Sequence, residues 1–247
     1  YKRQLLALAM AFLSIPADFT QAQSFPGKTQ LIKVASKEKD FPIRNVYVWT
    51  PSVPDDQVDS LPVVYILHGW PGTPSGMMAG TINALNKEFN SGAQPFIAVF
   101  PDGNAKTHLD SEWADSYDGK AMIETWLTTK VIPAVEGDNL RTRENRAILG
   151  FSMGGYGAAM IALHHPDLYS QVVTLAGYFV IDDLTNAYGF KPSNSKKMSY
   201  QNPNNFLKVS NQLRWFLGEA TQDPTALIYG QALQWSKKLT ANSAENL

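Results

Sequence analysis

Short, continuous apolar runs recur along this chain, each closed by glycine or a polar turn: "LPVVYILHGW", "PFIAVFPDG", "RAILGFS", "YSQVVTLAG" and "QLRWFLGEA". Runs of this length without polar alternation are expected of strands buried on both faces. Between them lie "INALNKEFNSG", "GKAMIETWLTTKVIPAV", "MGGYGAAMIALHH" and "PTALIYGQALQWSKKL", with apolar residues at helical spacing. Gly92 reads as one helix stop, Pro166 as another, and Pro224 as a first-turn residue. Strands alternating with helices predict an α/β fold with a mostly parallel central sheet covered on both faces. Ahead of this series, "TQLIKVAS" and "IRNVYVWTP" read as an antiparallel pair, and "PSVPDDQVDS" as a loop.

The 247 residues suit one domain with a sizeable core. A net charge of −1 gives no pull toward nucleic acid or an anionic membrane, and the absence of cysteine excludes disulfides, thiolate metal sites and cysteine catalysis. Lys2 and Arg3 precede the apolar run Leu5 to Ile15, Pro16 ends it, and Thr20 and Ala22 stand at −3 and −1 of a cleavage point. Residues 1–22 are therefore expected to be a signal peptide, with residues 23–247 a secreted or periplasmic domain that has no membrane span. Tyr178 to Phe206 is long and rich in Asn, Ser and Lys, and is read as a lid or substrate-loop insertion or a plain surface excursion.

Chemistry concentrates at Gly150-Phe151-Ser152-Met153-Gly154. A serine at a sharp strand-to-helix turn, flanked by glycines, is the setting of an acyl-transfer nucleophile, because the turn lifts Oγ off the sheet edge above a helix N-terminus. One oxyanion donor is the backbone N–H of Met153, and the second is expected in "HGWPG" after an earlier strand, at Trp70. In "HGWPG", His68 is expected to shape the loop rather than to act as base. The acid should follow a late strand: Asp223 is favoured, with Glu219 the runner-up. Only four histidines exist. His164 and His165 are expected at the end of the nucleophile helix, and His108 lies on a loop in the wrong chain order. The base is therefore expected beyond Leu247, in a chain that is read as a fragment with a clipped start.

The ordered motifs "LPVVYILHGWPG", "FIAVFPDG", "ETWL", "RAILGFSMGGYGAAMIALHHPDLY" and "VVTLAG" resemble the esterase D / antigen 85-type esterases of the α/β-hydrolase superfamily. The resemblance covers about Arg44 to Leu239. It implies Ser152 as nucleophile, Trp70 and Met153 as oxyanion donors, and Asp223 as acid, although "GEATQD" is spaced more widely than the family's usual Gly-x-x-Asp. It also implies a C-terminal histidine that has no counterpart in this chain. The segment after "PDG" often lines the cleft in that family, so Trp113 and Tyr117 become candidate substrate contacts. The implied activity is ester hydrolysis through an acyl-enzyme, without metal or cofactor, on a small-molecule or carbohydrate ester such as an acyl or feruloyl sugar. The alternatives are a mycolyltransferase-type acyltransferase, an S-formylglutathione hydrolase-like thioesterase, or a non-catalytic binding module on a hydrolase fold.

Overall fold

The computed structural model describes residues 27–108, 110–180, 199–219 and 230–242, with the backbone of Glu245–Asn246. The expected signal peptide, most of the 178–206 insertion, Pro224 and Asp223 lie outside the described residues.

The described strands form one sheet in the order β1-β2-β4-β3-β5-β6-β7-β8. They are β1 (Lys28–Ala35), β2 (Ile43–Thr50), β3 (Val63–Leu67), β4 (Ile97–Pro101), β5 (Arg146–Phe151), β6 (Gln171–Leu175), β7 (Arg214–Gly218) and β8 (Glu245–Asn246). β1 pairs antiparallel with β2, and β2 with β4; every other pairing is parallel. The antiparallel pair and the buried parallel strands stand where their sequence patterns put them.

Side chains alternate across the strands, as a period of two requires. Val63, Tyr65 and Leu67 enter one core with Ile148, Val172 and Trp215; Val64 and Ile66 enter the other with Ala98, Phe100, Leu149 and Val173. The helix α1 (Pro74–Asn90) covers the second core with Ile82 and Leu85. It starts earlier than its apolar pattern suggests, because Thr73 caps it: the Thr73 hydroxyl accepts the Gly76 N–H at 3.1 Å, and Pro74 opens the first turn.

The other face carries α2 (Ile123–Trp126) and α3 (Ile132–Glu136), joined by a π-helical turn at Leu127–Val131. There Ile132 donates to the Leu127 carbonyl, five residues back. Pro133 has no N–H and its ring crowds the preceding turn, which accounts for the interruption. The same face carries α4 (Met153–His164) and α5 (Gln231–Ala241). "PSVPDDQVDS" is not wholly loop, since Asp55–Val58 makes one helical turn. No described helix is long and apolar enough to cross a membrane.

Candidate active site

β3, β4, β5, β6 and β7 run parallel, so their carboxyl ends share one sheet edge. Chain order reverses there: from β3 the chain goes to β4 on one side and then to β5 on the other. Such a switch point opens a crevice beyond the strand ends. His68-Gly69-Trp70 leaves β3 at this crevice, and Ser152 leaves β5.

Ser152 has φ +55° and ψ −118°, a conformation that non-glycine residues adopt only under constraint. The constraint is visible on each side. The Ser152 N–H donates to the Leu175 carbonyl at 2.8 Å, while the Ser152 carbonyl accepts the N–H groups of Gly155 and Tyr156 at 2.8 and 3.1 Å. A Cβ on Gly150 would sit 1.8 Å from the Gly154 carbonyl oxygen, and one on Gly154 would sit 2.2 Å from that of Leu67. Both glycines are required by close backbone approach, as the sequence spacing suggests.

The upstream loop lies directly against this turn: a Cβ on Gly69 would fall 3.2 Å from Ser152 Cβ and 3.0 Å from the Phe151 carbonyl oxygen. Trp70, the next residue, is 47% exposed, and Phe151 is 44% exposed. Met153 opens α4, so its N–H has no acceptor within the helix. The buried His68 ring braces the loop. Its Nε2 accepts the Gly103 N–H at 3.1 Å, and Nδ1 lies 3.0 Å from the Gly69 carbonyl, which puts the ring proton on Nδ1. Asn104 donates to the Gly72 carbonyl at 3.1 Å and to Asp102 at 2.9 Å.

The other histidines are held elsewhere. His108 Nε2 lies 3.1 Å from Asp118 Oδ1. His164 and His165 do end α4, but their rings converge on Glu124 of α2, at 2.8 and 2.9 Å. Burial works against the Glu124 charge; the bonds from His164 and His165 outweigh it and hold the carboxyl below its usual range.

Glu219 follows β7 at the same sheet edge, and its carboxylate accepts the N–H of Gly230 at the start of α5. Tyr117 is half-buried against the larger core. The expectation for Trp113 is corrected. Its side chain is fully buried: a Cβ added to Gly103 would come 2.5 Å from the ring and one added to Gly157 would come 2.5 Å from Trp113 Cβ, while Nε1 donates to the His68 carbonyl at 3.0 Å. Trp113 is a wall behind the His68 loop and presents no face to a ligand. Phe151 escapes the sequence reading, although its place one residue before the serine is the signal that finds it. No described cluster of His, Asp and Glu could hold a metal ion.

Comparison with known proteins follows this geometry. The model of the "Putative esterase" family matches residues 43–231. The chain is 34% identical over 139 residues to Esterase Rv1288 of Mycobacterium tuberculosis (strain ATCC 25618 / H37Rv), a match covering 52% of this chain but 29% of that protein. It is 27% identical over 180 residues to an acetyl esterase of Caldicellulosiruptor saccharolyticus, covering 70% of this chain and 60% of the relative. The chain thus spans well under half the length of the first relative and somewhat more of the second. Among solved structures, a ferulic acid esterase superposes with a TM-score of 0.72 at 20% identity, over 90% of this chain and 89% of the other. That likeness carries the fold, a mostly parallel α/β-hydrolase sheet. The span of the family match, which takes in both the His-Gly-Trp loop and the serine turn, places this chain in the esterase family.

Proposed function

We propose that this chain carries the catalytic core of a secreted serine esterase that cleaves carboxylic esters, including acyl or feruloyl groups on carbohydrate. One observation carries the reading: Ser152 is held at φ +55° at the sheet's switch point, with the His68–Trp70 loop packed on it.

In this reading Ser152 Oγ adds to the ester carbonyl carbon while a base takes its proton. The backbone N–H groups of Trp70 and Met153 hold the oxyanion. Collapse expels the alcohol, which recovers that proton, and water then releases the acid from the acyl-enzyme by the same route. Asp223 orients the base. The four histidines of the chain all bond to other partners, so none of them is assigned as the base. No metal or cofactor enters the scheme. Export rests on the charged, apolar and small-residue order of residues 1–22.

The exposed rings of Trp70 and Phe151 favour an ester that brings a flat group beside the reacting carbon. The similarity to an acetyl esterase and to a ferulic acid esterase supports a carboxylic ester as substrate. The test is turnover of p-nitrophenyl butyrate and methyl ferulate by the full-length protein. Ser152→Ala is expected to lose activity by many orders of magnitude, since members of a triad act as a unit. Equal rates for variant and wild type would remove Ser152 as nucleophile.

A further inference from the structure

The scheme above leaves one strained, buried acid beside the site unused. Glu112, in the loop between β4 and α2, has φ +50°, and Trp113 next to it has φ +62°. A non-glycine residue held in this region persists only where its surroundings over-determine it. The loop is fastened at each residue. Glu112 N–H donates to Asp110 Oδ1 at 3.1 Å, Trp113 N–H to Ser111 Oγ at 3.1 Å, and Ser111 Oγ to the Gly103 carbonyl.

The Glu112 carboxyl itself is buried and accepts the phenolic O–H of Tyr178. Tyr178 belongs to the chain just past β6, and its ring stacks on Tyr156 of α4, centroids 5.3 Å apart and planes 9° from parallel. Gly177, before it, packs on Gly155 so closely that a Cβ on Gly155 would lie 2.9 Å from Gly177 Cα. Ala176, before that, has φ +50°. Leu175, at the end of β6, accepts the Ser152 N–H, and Tyr156 donates its N–H to the Ser152 carbonyl. The links therefore close on themselves, from Glu112 through Tyr178 to Tyr156 and Ser152, and back through Leu175 to Tyr178.

We propose that Glu112 is a positioning residue of the ester-cleaving site, which clamps the chain after β6 onto the first turns of the nucleophile helix through Tyr178 and so fixes the orientation of Ser152. The proposal rests on the serine esterase reading above. The groups facing the Glu112 carboxyl are Tyr178 and Asp110, and Asp110 in turn feels the His68 ring. Burial first, and then the Asp110 charge, push Glu112 up to about 8; the Tyr178 hydrogen bond opposes this without reversing it. Burial likewise raises Tyr178 far above its ordinary value, so it stays a donor. The clamp is thus assembled with a neutral carboxyl at pH 7. Ionisation sets a second negative charge beside Asp110 in a dry loop that is already strained.

The experiment is a pH series, from about 6 to 9, of kcat and KM for p-nitrophenyl butyrate with the full-length protein. Glu112→Ala and Tyr178→Phe should each lower kcat about tenfold or more with KM little changed, because a displaced nucleophile loses rate rather than binding. The double variant should be no slower than either single one, since both break one link. Glu112→Gln, which can still accept from Tyr178, should keep most of kcat and lack the wild-type decline through pH about 8. The proposal is overturned if Glu112→Ala turns over like wild type at every pH, or if the two single losses multiply in the double variant. If Glu112→Ala does not fold, a wild-type alkaline limb in Glu112→Gln overturns it instead. Failure of the underlying reading looks different: Ser152→Ala would then be as active as wild type, whatever Glu112 does.

Discussion

At Gly150 there is no room for a single carbon. The 1.8 Å approach of its added Cβ would be to a backbone carbonyl in α4, which cannot rotate away. Gly150→Ala is expected to cost more than about 4 kcal/mol, or to prevent folding, as overpacking against rigid backbone does. Urea titration of the soluble fraction reads it. At Glu112 the effect on stability is graded by pH. A carboxyl raised from 4.5 to about 8 on folding binds its proton more tightly in the native state. Unfolding then releases that proton, so stability is highest below about pH 4.5, declines as pH rises, and levels off above about 8. Glu112→Gln should flatten this slope in thermal melts. A slope equal to wild type would show that Glu112 titrates normally. The Glu112 effect was not readable from the chain, because Glu112 is buried by Tyr178, 66 residues later. The glycine requirement was readable, because it follows from one local turn.

At the scale of elements, α2 and α4 are tied by Glu124, His164 and His165 rather than by apolar packing alone. Glu124 is held below its ordinary 4.5, so its contribution is lost as pH falls through that range. His165 is raised above 6.5, chiefly by its hydrogen bond to Glu124 with burial opposing, so its contribution is lost as pH rises past that value. The joint contribution is therefore largest between the two ordinary values. Glu124→Gln is expected to lower the melting temperature most near pH 5–6 and least near pH 9. An equal shift at every pH would mean that packing, not charge, carries the contact. α1 poses a simpler case: Thr73→Ala should cost about 1 kcal/mol, measured by denaturant, through loss of the Gly76 bond. The start of α1 was missed, because its first turn, capped by Thr73 and opened by Pro74, lacks the apolar spacing that marks the rest. The π turn before Pro133 had no sequence signal beyond the proline itself.

Across the described strands, the Arg146–Glu136 cluster and the proposed ester-cleaving site occupy opposite ends. Ser152 follows the carboxyl end of β5, and Arg146 begins that strand. There Arg146 meets Glu136 at 2.7 and 2.8 Å, while Glu136 also accepts from Tyr65 and from the Arg141 N–H. Arg146→Leu leaves a buried carboxylate without its cation and should cost about 3–5 kcal/mol. Because the strand separates the two ends by about 20 Å, kcat at a temperature where the variant is folded should stay as in wild type. The mostly parallel sheet and the serine turn were legible because buried parallel strands and tight turns restrict residue types locally. The Trp113 wall was not, because its partners His68 and Gly157 arrive from distant parts of the chain.

From Met153 to Leu163 every residue of α4 is buried, and most are glycine, alanine or another residue packed to contact. A library meant to change which ester is accepted has nothing to gain from this helix: almost any new side chain there would be read as damage before it was read as preference. Diversity belongs at Trp70 and Phe151, whose side chains leave the frame for solvent while their backbones stay in it. On the proposed serine esterase reading, selection for new substrates can thus act on these two rings and leave Ser152 where it is.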